Sequence, residues 1–208
     1  MQAIVSGLLD LIAPHRCAAC DRASDMEGWV LCRPCDALVE RHDSTGAVFE
    51  YGGPVAAAIR RFKYEGRSEL GRALGAQMAE EALVWAGRVD GVVPVPLHWR
   101  RRRARGYDQA ALLAKPVARA LEAPAWFRCL HRIRNTPSQV NLPHAARLQN
   151  VQGAFQSRAL AGSPRLLLVD DVRTTGATLA AAADALRAAG AGDVQALVLA
   201  VRVLGRAT

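Results

Sequence analysis

The stretch Leu166-Leu167-Leu168-Val169-Asp170-Asp171-Val172-Arg173-Thr174-Thr175-Gly176-Ala177-Thr178 decides how this chain is read. Four apolar residues in a row suit a strand buried on both faces, as in a parallel sheet covered by helices. Such a strand, predicted over residues 165–169, delivers two acids to its carboxyl end, where ligands of open α/β sheets bind. Hydroxyls and a glycine follow, then a helix predicted over residues 178–189 and stopped by Gly190. A helix N-terminus offers unpaired N–H groups at the positive end of its dipole, and Gly176 lets an anion come close to the backbone. Two carboxylates beside a phosphate cradle suit a ligand with both a diol and a phosphate, a ribose 5-phosphate. The plainer alternative is an acidic turn between strand and helix. The chain has no G-x-x-x-x-G-K-[ST] loop for a triphosphate and no G-x-G-x-x-G turn for a dinucleotide.

Outward from this stretch, strands and helices alternate. Residues 47–51 read as a strand ending at Gly52-Gly53-Pro54, and residues 55–61 and 69–84 as helices split at Tyr64-Glu65-Gly66-Arg67. The second helix repeats apolar residues at Leu70, Ala73, Leu74, Met78 and Ala82, close to the 3.6-residue period. A buried-looking strand over residues 91–96 precedes a helix over residues 109–121, with Asp108 as its cap. Pro116 inside that helix removes a donor and crowds the previous turn, which predicts a kink or break. Residues 132–150 are polar, contain Pro137 and Pro143, and read as a long functional loop. Residues 154–156 and 194–203 read as further strands. The predicted class is α/β, a parallel sheet with right-handed crossovers.

Four of the five cysteines fall as Cys17-x₂-Cys20 and Cys32-x₂-Cys35. Each knuckle turns two sulfurs toward one tetrahedral ion, and two knuckles complete a Cys₄ zinc site whose closed shell gives it a structural role. Disulfides and a thioredoxin-like redox pair are the competing readings. His15 is a neighbour of the cluster, and Cys129 lies far from it as a small buried apolar residue. Residues 1–45 are expected to form an N-terminal helix and zinc module, and residues 46–208 one larger domain. Residues 1–12 have no basic leader and are too short to span a bilayer, so no membrane segment is expected and the cytoplasm is the expected location.

With 208 residues, half of them hydrophobic, the chain has the makings of a sizeable core. Its net charge of +8 attracts phosphates, whether on a sugar phosphate, a nucleotide or DNA.

The central stretch resembles the signature of type I phosphoribosyltransferases position by position. The resemblance implies a 5-phosphoribosyl-1-pyrophosphate (PRPP) site with Mg²⁺. Asp170 and Asp171 would hold the ribose hydroxyls directly or through the metal, with Arg173, Thr174, Thr175, Gly176, Ala177 and Thr178 around the 5-phosphate. The whole chain resembles the competence-protein-F (ComF) family. The shared blocks are the Cys₄ module, Phe62-Lys63-Tyr64-x-Gly66, Val93-Pro94-Val95-Pro96, Arg105-Gly106-Tyr107-Asp108-Gln109, Arg132-x-Arg134-x-Thr136-x-x-Gln139, and Arg147-x-x-Asn150. Members more often have Asn where Asp108 stands. By the same resemblance, Pro96, Leu97 and His98 form the pyrophosphate loop, with Arg100, Arg101, Arg102, Arg103 and Arg105 supplying charge. A nucleic-acid patch and a plain solvated face are the alternatives for that basic run. Thr136, Gln139, Arg147 and Asn150 would sit on a loop that closes over PRPP, Arg147 and Asn150 alternatively only tying it to the sheet. Lys63 and Tyr64 would reach the site, with Lys63 and Arg105 joining the two acids in catalysis. The implied activity is phosphoribosyl transfer to a nitrogen acceptor. The alternatives are a DNA-uptake accessory that binds single-stranded DNA or a helicase, and a PRPP or nucleotide sensor. Oligomeric state is not legible.

Overall fold

The computed structural model describes residues 16–24, 26, 28–135 and 151–203. The sheet is built from β1 (Ala47–Glu50), β2 (Gly91–Pro94), β5 (Arg165–Arg173) and β6 (Asp193–Val201), all parallel in the order β1-β6-β5-β2. A two-stranded antiparallel ribbon pairs β3 (Leu130–Arg132) with β4 (Phe155–Ser157). The helices are α1 (Arg33–Asp36), α2 (Gly53–Tyr64), α3 (Leu70–Ala82), α4 (Trp99–Arg105), α5 (Gln109–Ala120) and α6 (Ala177–Ala188).

β5 is the middle of the core, and its alternation divides that core in two. Leu167 and Val169 face a cluster with α2, α3 and α5, whereas Leu166 and Leu168 face one with α6 and the β3–β4 ribbon. Cys17, Ala18, Val30, Leu31 and Cys32 are buried in the same cluster as Ile59, Phe62 and Met78, so the cysteine segment shares one core with α2 and α3. An ion pair from Arg61 of α2 to Asp21 at 3.1 Å reinforces that contact.

The parallel α/β core and the cysteine cluster ahead of it stand as expected. Several details differ. β5 does not stop at Val169: its ladder with β6 continues through Asp170↔Val198, Val172↔Ala200 and Arg173↔Val201, so both acids lie on the strand itself. α5 runs unbroken through Pro116. Its neighbour α3 presents Gly71 and Gly75 there, and a Cβ on Gly75 would come within 2.8 Å of Pro116 Cγ. This close packing holds the helix together against a proline penalty of about 3 kcal/mol. The basic run forms α4, capped by His98 Nδ1, which accepts the Arg100 N–H at 3.4 Å, and ended by Gly106 at φ 83°. β3 falls partly within the stretch read as loop. The calls on residues 1–12, His15, Thr136, Gln139, Arg147 and Asn150 lie outside the described residues. Among the described residues, no helix is long and apolar enough to cross a membrane.

Candidate functional site

A cavity of about 510 Å³ opens over the carboxyl ends of the sheet strands. Asp170 and Asp171 enter it from β5, and Arg173, Thr174, Gly176, Ala177 and Thr178 line it along the turn into α6. Gly176 has φ 79°, in the left-handed region that residues with a side chain rarely adopt. Pro96 and Leu97 enter after β2, Lys63 from the end of α2, and Arg105 from the end of α4. Two expected residues do not line it. Thr175 Oγ1 accepts the Ala177 N–H at 3.4 Å, and His98 is buried as the α4 cap.

The electrostatics centre on the two acids. Lys63 Nζ pairs with Asp171 Oδ1 at 2.8 Å, and the Asp171 N–H donates to Asp170 Oδ1 at 2.8 Å. Burial, joined by the charge of Asp171, pushes the Asp170 carboxyl up to about 8, with Lys63 working against them. Burial would lower the Lys63 ammonium, but Asp171 and then Asp170 more than offset this and hold it above its ordinary value.

Residues 105–109 fix three walls of the cavity. Arg105 Nη1 donates to Gln109 Oε1 at 2.8 Å. Tyr107 donates its hydroxyl proton to the Phe62 carbonyl, beside Lys63. Asp108 accepts the Leu97 N–H at 3.0 Å with one oxygen and the Ala111 N–H at 3.3 Å with the other. One carboxylate thereby caps α5 and pins the loop after β2.

α4 divides the basic run by face. Arg101 and Arg105, one turn apart, line the cavity, while Arg100, Arg102 and Arg103 are exposed. Sequence reasoning missed Tyr51, Arg60 and Arg202 altogether, and placed Arg132 only in a loop motif; all four line the cavity. For Arg202 a signal existed, a cation directly after the apolar run of β6. Arg60 and Tyr51 had none.

The four cysteine sulfurs lie within 4.8 Å of one another, with Cys20 Sγ and Cys32 Sγ 3.6 Å apart. Sulfurs around a tetrahedral zinc stand about 3.8 Å apart, given Zn–S bonds of about 2.3 Å. All four are free thiols, and the Ala19 N–H donates to Cys17 Sγ at 3.4 Å. Burial raises Cys17, but hydrogen bonds from the backbone of Cys20, Cys32 and Ala19 outweigh it and bring the thiol down to about 6. This donor set fits a thiophilic metal.

No protein-family model matches the chain. It is similar to the DNA utilization protein YhgH of Salmonella typhi, 34% identical over 155 residues that cover 72% of this chain and 68% of the relative. It is also similar to competence protein F of Haemophilus influenzae, 32% identical over 174 residues (79% and 75% of the two chains). Competence protein ComFC of Bacillus subtilis is 28% identical over 187 residues, covering 86% and 74%. Among solved structures, the glutamine PRPP amidotransferase of B. subtilis gives a TM-score of 0.42 at 21% identity, over 67% of this chain and 30% of that one. Orotate phosphoribosyltransferase of Aeropyrum pernix gives 0.39 at 20% identity, over 81% and 78%. On the similarity to YhgH and competence protein F, this chain belongs to the competence protein F family.

Proposed function

We propose that the cavity binds PRPP with Mg²⁺ and that the protein transfers the phosphoribosyl group to a nitrogen acceptor in the cytoplasm, releasing pyrophosphate. The observation that carries this reading is the sharing of one cavity by Asp170, Asp171 and the turn from Arg173 to Thr178. The acids would hold the ribose hydroxyls and stabilise positive charge on the sugar ring. N–H groups at the start of α6 would receive the 5-phosphate. Pro96 and Leu97, with Arg101 and Arg105 close by, would receive pyrophosphate, whose charge grows as it leaves. Mg²⁺, held by Asp170 or Asp171, would supply further neutralisation of that leaving group. Lys63 orients Asp171 through their ion pair. The Cys₄ cluster would hold a structural zinc within an N-terminal module of residues 1–45, ahead of a transferase domain of residues 46–208.

A second reading, an accessory to DNA uptake, is favoured by the outer face of α4. Trp99 is exposed there with the Arg100 guanidinium 5.3 Å from its ring, next to Arg102 and Arg103. Cations beside an exposed aromatic ring suit single-stranded DNA.

Calorimetric titration separates the readings. PRPP with Mg²⁺, and separately a single-stranded oligonucleotide, are titrated into the wild type and into an Asp170→Asn/Asp171→Asn variant. PRPP binding by the wild type, weakened at least tenfold in the variant, supports the transferase. Absence of PRPP binding by folded wild type sinks it, and oligonucleotide binding by both proteins would then favour the accessory. PRPP binding with no pyrophosphate release for any amine would leave a sensor.

A further inference from the structure

The cavity crosses the ends of all four sheet strands. Pro96 and Leu97 follow β2, the two acids lie on β5, Arg202 follows β6, and Tyr51 follows β1. Neighbouring strands are about 4.8 Å apart, so the β1–β6 end stands roughly 10 to 14 Å from the β2 end. When a nucleophile displaces a leaving group from a sugar carbon directly, it approaches the ring face opposite to that group. With pyrophosphate on the β2 side and ribose over the acids of β5, the acceptor therefore enters from the β6–β1 side.

That end has a definite chemistry. Tyr51 and the buried Ile59 give it an apolar wall. The Arg202 guanidinium lies 5.4 Å from the centre of the Tyr51 ring, a flat cation on a flat support. Arg60, one turn before Lys63 on α2, lines the cavity too, and both arginines are exposed. Among the described residues, neither makes an ion pair with an acid. On the PRPP reading Arg202, which follows β6, is separated from the loop after β2 by β5, and its N–H donates to the Arg173 carbonyl at 2.8 Å. Planar guanidinium groups recognise carboxylates through paired hydrogen bonds and stack on flat rings.

We propose that Tyr51, Arg60 and Arg202 form the acceptor subsite, and that the acceptor is a flat nitrogen nucleophile bearing a carboxylate. This rests on the PRPP reading above. In the step itself, the nitrogen lone pair forms the N–C1 bond and the C1–O bond breaks with its electrons leaving on pyrophosphate. An amine nitrogen then sheds its proton to solvent.

The test uses the full chain loaded with zinc, PRPP and Mg²⁺, and two matched pairs of probes. These are 2-aminobenzoate against aniline, and pyridine-3-carboxylate against pyridine-3-carboxamide. Binding to the PRPP-loaded protein is measured by calorimetry, and pyrophosphate release is followed in parallel. The expected result is at least tenfold tighter binding of the carboxylate in one pair or both. Arg60→Ala/Arg202→Ala should abolish that preference while changing PRPP affinity less than twofold, and the lysine variants should restore part of it. Equal binding of charged and neutral probes, or no binding of any probe, overturns the proposal. A double variant that loses PRPP itself also overturns it, since the arginines would then serve the sugar phosphates. Failure of wild type to bind PRPP is a separate outcome, and it removes the transferase reading along with its acceptor.

Discussion

At Asp170, burial and the neighbouring charge of Asp171 push the carboxyl up to about 8. An acid whose folded value exceeds its unfolded value of about 3.9 favours folding fully below the lower value. That contribution fades as pH rises toward the higher one. In metal-free and PRPP-free buffer, with the cysteine site loaded, Asp170→Asn should therefore gain melting temperature on the wild type as pH rises from 6 to 9. Melts showing the same difference at both ends of that range would contradict the assignment. The two acids were legible because they follow directly on an unbroken apolar run, Leu166 to Val169. The raised Asp170 carboxyl was not, because it comes from burial and from neighbouring charges that meet only in the folded chain. The cysteines were legible from spacing alone. Arg60 and Tyr51 belong to no pattern; the pairing of β1 with β6 brings Tyr51 to the cavity, and α2 brings Arg60.

The periodic helices and the short strands β1, β2 and β4 were read closely, whereas β3 and α4 were not. α3 and α6 carry several turns of apolar repeat, whereas β3 has three residues with one buried, too little to show a period. α4 has no buried residue at all, so its helical form comes from the His98 cap and the Gly106 stop. The continuity of α5 was misjudged because its tolerance of Pro116 resides in α3. Gly75 is the point of contact, where an added methyl would also stand 3.1 Å from the Leu113 carbonyl oxygen. Overpacking of this kind costs about 1–3 kcal/mol. Gly75→Ala should lower stability by that amount in denaturant titrations, despite the better helix propensity of alanine. A neutral or stabilising result would mean that the two helices separate easily.

For the molecule as a whole, the cysteine segment is continuous with the main core, since Cys17 and Cys32 are buried among residues of α2 and α3. That partnership could not be read from the chain, where the cysteines look like a detachable front piece. Metal analysis should find about one zinc per chain. Chelation should lower the melting temperature by about 10 °C or more, because a metal bound only by the folded state stabilises it and 1 kcal/mol shifts a chain of this size by about 2–4 °C. Well under one equivalent of metal, with melting unaffected by chelator, would remove zinc from the description.

The cavity takes its acids from β5 and, apart from Arg173, its cations from other places, Lys63 from α2, Arg101 from α4, Arg132 from β3 and Arg202 after β6. This division makes the framework modular in an evolutionary sense. Substitutions at Tyr51, Arg60 or Arg202 can redirect what the site accepts without touching the acids of β5 or the turn into α6. A library confined to those three positions is then a route to new chemistry on an inherited scaffold, and descendants of one ancestral chain could share a sugar-phosphate end while serving different partners at the other.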